Sequence, residues 1–388
     1  MKKYIFRPAA YLLPVAIVMT VYFTTPDEII LTENAHYSAY PNGFVKLTSV
    51  EGEAYVDTET VGVQKMRAEL FGAVPIKSVQ VSVVPERYVT VSGEAIGVRL
   101  YSDGIMVVNV ESGSGAKSAG IKKGDVITYI NGAPAESVEK LSAQISSAEE
   151  NTLTVTRNGH ERTLTLRGEK DKKGYTAGMW VRDSTAGIGT MSFYDGENNI
   201  FGALGHAICD SDTGAIVPLA HGTISSCRIR SVKAGESGEP GELVGSIGSE
   251  VTGCVLINSE LGLYGLMDEP VQGREAAVAT RFLVKEGAAE LLCDVDGAGV
   301  KSYSVEIEQV SKTKNGGNKS MVIRVTDEEL IAVTGGIVQG MSGSPILQNG
   351  RLVGAVTHVF INDPRRGYAV FAESMLTLAD ETTEFDGK

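Results

Sequence analysis

The run Gly340-Met341-Ser342-Gly343-Ser344-Pro345 sets a serine between two small stretches of chain and closes with a proline, a pattern that exposes one hydroxyl. Small neighbours let a substrate carbonyl and backbone N–H groups come close to it. The amides of Ser342 and of Gly340, two positions earlier, can then hold the oxyanion of a tetrahedral intermediate together. A Gly/Ser-rich turn that merely joins two strands is the competing reading. Such a turn needs one residue at positive φ, not three small residues around a serine. The stretch therefore predicts Ser342, rather than Ser344, as a nucleophile.

A serine is a poor nucleophile at neutral pH unless a base takes its proton, and histidine is the usual base. Five histidines are available. His206 lies in Phe201-Gly202-Ala203-Leu204-Gly205-His206-Ala207-Ile208-Cys209, where small and apolar residues bury one flank of an imidazole and leave a face open. It is the predicted base. His221 and His358 stand in reserve, with His358 expected to line the substrate pocket or the core; His36 and His160 fall outside this region. A Ser-Lys mechanism is disfavoured because no lysine follows Ser342 until Lys388. Asp210, Asp268, Asp294 and Asp296 all lie between His206 and Ser342, and sequence order does not say which carboxylate, if any, faces the imidazole.

Outward from this constellation, 388 residues allow two or three domains. Forty-five glycines, about 12% against a usual ~7%, and few aromatics indicate short strands joined by many turns. Runs such as Gly187–Tyr194 and Leu352–Phe360 fit such strands, and many antiparallel strands avoid open edges by closing into barrels. The net charge of −13 repels phosphate backbones, so nucleic acid is excluded as a partner. Lys2, Lys3 and Arg7 precede an uncharged, strongly apolar stretch from Pro8 to Pro26, which reads as an export signal. Its length is near the ~20 residues of a spanning helix and no A-x-A cleavage site follows, so the expectation is an uncleaved or slowly cleaved membrane anchor. Cys209, Cys227, Cys254 and Cys293 are widely spaced, equally compatible with disulfides and with buried thiols. His206 and Cys209 have H-x-x-C spacing, but the complementary zinc-binding pair is missing. Neither a metal nor a cofactor is expected.

Residues 28–86 carry no motif and read as a spacer or a small strand-rich segment. Then Ala95–Leu100 and Gly104–Val110 suggest a strand pair. Gly124–Gly132 adds a strand and an Asn-Gly turn. Val138, Leu141 and Ile145 mark one helix face, and Thr152–Leu166 a hairpin turning at Asn158-Gly159. With its "S-A-G-I…G-D-V-I…I-N-G" core, this order resembles a PDZ domain of exported bacterial proteases. The resemblance implies that Ala95, Ile96, Gly97 and Val98 present N–H groups to a peptide C-terminus, which adds as a strand beside the helix. That ligand peptide can belong to another protein or to the same chain. The charged run Glu169–Lys173 reads as a solvated linker.

"G-A-L-G-H" at 202–206, "V-T-D" at 325–327 and "T-G-G-I-V-Q-G-M-S-G-S-P-I" at 334–346 resemble the SpoIVB serine peptidases, the stage IV sporulation protein B family. The resemblance implies a mainly β chain: a membrane segment (1–27), a spacer (28–86), an α+β PDZ domain (87–168) and a chymotrypsin-like double β-barrel peptidase domain (175–380). It implies His206, Asp327 and Ser342 as a triad, with Gly340 and Ser342 supplying the oxyanion amides. Asp327 sits only fifteen positions before Ser342, whereas the acid of a chymotrypsin-like plan comes from the first barrel. By the same resemblance the enzyme is exported from the forespore into the space between two membranes. There it trims itself and cleaves a protein of a membrane complex, and the PDZ domain governs engagement of targets. That cleavage leads to activation of a sigma factor in the mother cell. The competing class is a non-catalytic PDZ scaffold with a degenerate peptidase domain.

Overall fold

The computed structural model describes residues 6–41, 43–172, 174–312 and 314–382. The apolar N-terminal stretch forms helix α1 (Phe6–Thr24), with Pro14 inside it. Lys2 and Lys3 lie outside the described residues, and among those described no helix is long and apolar enough to cross a membrane. Of the two readings of residues 28–86, spacer or small strand-rich segment, the structure shows the second, a folded unit. Strands β1 (Glu28–Thr32), β2 (Val45–Ser49), β3 (Gly62–Leu70) and β4 (Val74–Val84) form a sheet in the order β1-β4-β3-β2. Alternating residues such as Val79, Val81 and Met66 pack with Ile29, Leu31 and Leu47 into its own core, as period-2 patterning requires.

The first barrel is built from β6 (Ala95–Val110), β13 (Met179–Asp195), β14 (Ile200–Ala203), β15 (Leu219–Lys233), β16 (Glu242–Ser259) and β17 (Gly262–Met267). They run in the order β6-β15-β16-β17-β14-β13, and pairing of β13 with β6 closes the ring. Strands β5 (Tyr88–Val91) and β18 (Arg274–Ala277) extend it beyond β13. The second barrel closes as β19-β20-β21-β24-β23-β22: β19 (Gly287–Cys293), β20 (Lys301–Val310), β21 (Met321–Val325), β22 (Pro345–Gln348), β23 (Arg351–Phe360) and β24 (Asp363–Phe371). Closure leaves neither barrel an open edge. Helix α4 (Glu328–Thr334) leads from β21 to the serine loop, and α5 (Ala372–Thr382) ends the described chain. The expected double barrel is therefore the observed plan.

Between the two barrel segments of β6 and β13 the chain builds the PDZ module. It comprises α2 (Gly115–Ser118), β7 (Val126–Ile130), β8 (Ala133–Pro134), α3 (Val138–Ser147), β9 (Glu150–Arg157) and β10 (His160–Arg167). Leu141 and Ile145 are buried on α3, whose N-cap is Ser137. Asn158 and Gly159 both take positive φ, as a two-residue hairpin turn demands.

Two boundaries differ from expectation. Ala95–Leu100 and Gly104–Val110 do not fold back on each other but form the single strand β6. Its first part, Ala95 to Ser102, belongs to the barrel, bonded to β13 and β15 on its two sides. Ala95, Ile96, Gly97 and Val98 therefore have no free edge for a peptide, and the carboxylate-binding role expected for them is corrected. The physical cause is competition: Gly187–Thr190 pair with all four on one side and Ile224–Ser226 with Ile96, Gly97 and Val98 on the other. The stretch read as a solvated linker pairs as β11 (Glu169–Asp171) with β12 (Gly174–Thr176), Lys173 lying outside the described residues.

Candidate active site

The two predicted reacting side chains are carried to one place by loops that touch. Gly343 has φ +95°, and a Cβ on it would lie 2.0 Å from the Thr190 carbonyl oxygen and 2.5 Å from the Leu204 N. Only glycine lets the serine loop lie this close to the histidine loop. The histidine turn is itself contorted: Leu204 and Gly205 have φ +66° and +67°, and a leucine there costs on the order of 1–2 kcal/mol. Thr190, buried in β13, binds both loops. Its N–H donates to the Ser342 carbonyl (2.9 Å) and its carbonyl accepts from the Leu204 N–H (3.2 Å). Its hydroxyl donates to the Gly340 carbonyl at 2.8 Å.

Ser342 is half-buried and Ser344 is fully buried, so of the two serines it is Ser342 that a substrate can reach. The Ser342 hydroxyl donates to the Thr357 carbonyl at 2.8 Å, and the His206 ring packs against that of the next residue, His358, with centroids 4.8 Å apart. Both side chains thus rest on one corner of β23. The Nδ1 of His206 lies 2.8 Å from the Ala207 carbonyl oxygen. A carbonyl only accepts, so Nδ1 carries the proton and Nε2 the lone pair, the tautomer a general base needs. Burial holds the His206 pKa below its ordinary value, which keeps this neutral form present at physiological pH.

The oxyanion pocket follows from the carbonyls of the same loop. The Gln339 carbonyl accepts from the Leu243 N–H, and the Met341 carbonyl from the Ser344 N–H. In a trans peptide the N–H points opposite to its carbonyl, so those two bonds aim the Gly340 and Ser342 amides the other way. The amides of Gln339, Met341, Gly343 and Ser344 are all engaged, whereas those of Gly340 and Ser342 have no acceptor among the described residues. Two unengaged donors on the loop of a serine hydroxyl, one on each side of Met341, are what an oxyanion requires.

Asp327 is not brought to His206. It is the N-cap of α4: one carboxylate oxygen accepts from the Glu329 (3.0 Å) and Leu330 (3.1 Å) amides, the other from the Ser304 amide. Such capping satisfies donors a helix start leaves open, and the only ring-nitrogen bond of His206 among the described residues goes to Ala207. The expectation of Asp327 as the orienting acid is thereby corrected; the backbone carbonyl of Ala207 occupies that place. Asp210 is buried but committed to Arg182 and to the Asp212 and Thr213 amides, and Asp294 and Asp296 to local turn amides. His221 stacks on Tyr101 at 4.4 Å, on exposed β15 surface. All four cysteines are free thiols, and among the described residues no cluster could hold a metal ion. Sequence reading missed Thr190 and the Ala207 and Thr357 carbonyls. Backbone acceptors carry no residue signature, and Thr190 sits in an ordinary strand.

The family model for SpoIVB peptidase S55 matches residues 173–376, more than half of the chain. The chain belongs to the SpoIVB peptidase S55 family. It is a serine endopeptidase, and a PDZ domain model matches residues 87–167 of this S55 peptidase. The first part of that PDZ match, through Ser102, has its hydrogen bonds in the barrel, and the ladder decides where those residues belong. No curated protein sequence matches the chain. Among solved structures, the PDZ domain of the SdrC-like protein Lmo2051 from Listeria monocytogenes is 19% identical. That match covers 20% of this chain and 87% of that one, with TM-score 0.19. The active form of the Rv3671c protease from M. tuberculosis is 14% identical over 50% of this chain and 74% of that one, with TM-score 0.31. The HtrA-type protease AlgW with decapeptide is 11% identical over 63% and 67%, with TM-score 0.32.

The two readings of Asp327 predict different outcomes for this S55 peptidase. Asparagine caps a helix about as well as aspartate, so Asp327→Asn is expected to keep hydrolysis within about tenfold, whereas amidating a triad acid costs about 10⁴-fold. Asp327→Ala, which removes the cap, is expected to lower stability by about 1 kcal/mol in denaturant unfolding.

Proposed function

We propose that Ser342 is the nucleophile and His206 the base of this peptidase, oriented by a backbone carbonyl instead of an acid. The observation that carries this is the pair of unengaged amides at Gly340 and Ser342 beside the Ser342 hydroxyl. The hydroxyl turns from the Thr357 carbonyl toward His206 Nε2, gives up its proton there, and attacks the substrate carbonyl. The oxyanion is held by the Gly340 and Ser342 amides while the proton on Nδ1 keeps donating to the Ala207 carbonyl. The imidazolium then protonates the leaving amine, and water, activated by the same imidazole, releases the acyl group from Ser342.

The substrate is a protein of a membrane complex, reached after export, in the space between forespore and mother-cell membranes. The enzyme first trims itself, and its cleavage of the complex leads to sigma-factor activation in the mother cell. This biology is supported by the family alone. An apolar N-terminal helix ahead of peptidase barrels that carry a PDZ module within the first of them is compatible with it. A regulatory part for the PDZ module is supported by β13, which runs from that module to Thr190, and by Arg182 on the same strand. Arg182 pairs with Asp210 and Asp212 in the segment that follows His206.

The test is made in two settings. Purified wild-type chain is expected to shorten on incubation and the Ser342→Ala chain to stay intact. In a spore-forming host lacking its own copy, only wild type is expected to restore the mother-cell sigma reporter. Self-shortening without reporter activity would keep the peptidase and remove the sporulation role.

A further inference from the structure

The PDZ module has a groove elsewhere than at Ala95–Val98. A cavity of about 480 Å³ lies between α3 and the chain from Gly174 to Val181. Leu141 and Ile145 of α3 form its apolar wall on one side, and Met179 and Val181 of β13 form it on the other. Along Met179–Arg182 the only ladder partner of β13 is β6, at Met106–Val110. The opposite edge faces α3 with no strand beside it among the described residues, which is the arrangement that accepts an added peptide strand.

Carboxylates already stand at both places where a ligand's free C-terminus would seek donors. At the turn that starts the strand, a Cβ on Gly178 would lie 3.5 Å from an oxygen of Glu111, whose other oxygen accepts from the Trp180 indole N–H at 3.3 Å. At the start of α3, the Asp183 carboxylate accepts from the Val138 N–H at 3.0 Å. Asp171 adds a further negative charge to the lining, and among the described residues no lysine or arginine lines the groove. A terminal carboxylate placed there would meet like charge, whereas a cation would be attracted.

We propose that this groove takes an internal, extended peptide segment that combines an aliphatic side chain, seated between Leu141 and Met179, with a basic side chain facing Glu111 and Asp171. It does not take a free C-terminus. This rests on the reading of the module as a peptide-binding PDZ domain.

The chain's only tryptophan, Trp180, is exposed and bonded to Glu111, so its emission reports on the groove. Full-length protein carrying Ser342→Ala is titrated with two eight-residue probes that share an aliphatic core. One bears a lysine beside the core and an amidated C-terminus; the other has no lysine and a free carboxylate. The lysine probe is expected to bind at least about tenfold more tightly. That preference is expected to vanish in 0.5 M salt and in Glu111→Gln. Tighter binding of the free-carboxylate probe overturns the proposal and leaves peptide binding standing. Equal binding also overturns it, and if neither probe binds, the peptide-binding reading of the groove falls with it.

Discussion

Replacing Ser342 by alanine is expected to lower peptide hydrolysis by at least about 10⁴-fold while leaving the fold intact. The hydroxyl makes one hydrogen bond, to the Thr357 carbonyl, so its loss costs about 1 kcal/mol of stability. The free amides of Gly340 and Ser342 survive the substitution, which is why a residual rate above uncatalysed hydrolysis is expected. Ser344→Ala is the matched control. Its hydroxyl is fully buried, with only the Cys293 thiol as a weak partner among the described residues, so removing it is expected to leave turnover unchanged. Turnover by Ser342→Ala above about a hundredth of wild type, measured on one synthetic peptide with folding checked by circular dichroism, would move the nucleophile elsewhere.

Removing the His206 imidazole is expected to cost as much. His206→Ala leaves Ser342 without a proton acceptor, and the double variant with Ser342→Ala is expected to be no slower than either single one, because the two act as a unit. The pH profile carries a sharper signature. Burial disfavours the imidazolium and lowers the His206 pKa, so the base form persists to lower pH. The acid limb of kcat/KM is accordingly expected to fall with a midpoint below the ordinary histidine value of about 6.5. His358 is pushed down further, to about 4, by burial and then by the nearby His206 and Lys319. It is therefore uncharged over this range and does not contribute the limb. A midpoint at or above 6.5 would contradict the buried, carbonyl-bonded His206 described above.

What could be read in the sequence was whatever chemistry forces on side chains and turns. Ser342 stood out because glycines at 340 and 343 serve close approach, and Gly343 does lie against Thr190 and Leu204. The α3 face and the Asn158-Gly159 turn were legible because helical period and positive φ leave residue signatures. Asp327 was misread for a definite reason: a carboxylate at a helix cap and one beside an imidazole look identical in a sequence. Only the Ser304, Glu329 and Leu330 amides separate them. The groove was misplaced because the resemblance put the receiving edge at Ala95–Val98, whereas the strand edge beside α3 is that of Met179–Arg182. Which one keeps a free edge depends on barrel strands more than eighty residues away.

The pairing of Tyr101 with Ser184 carries a consequence for how such a chain can arise. Opposed residues of an antiparallel ladder have Cα atoms only about 5 Å apart, so everything between these two positions is, topologically, the tip of one long hairpin of the first barrel. The PDZ module is thus an insertion whose two ends meet. It could enter an ancestral barrel, or leave it, by exchanging a short turn for some eighty residues without moving a single strand that holds Ser342 or His206.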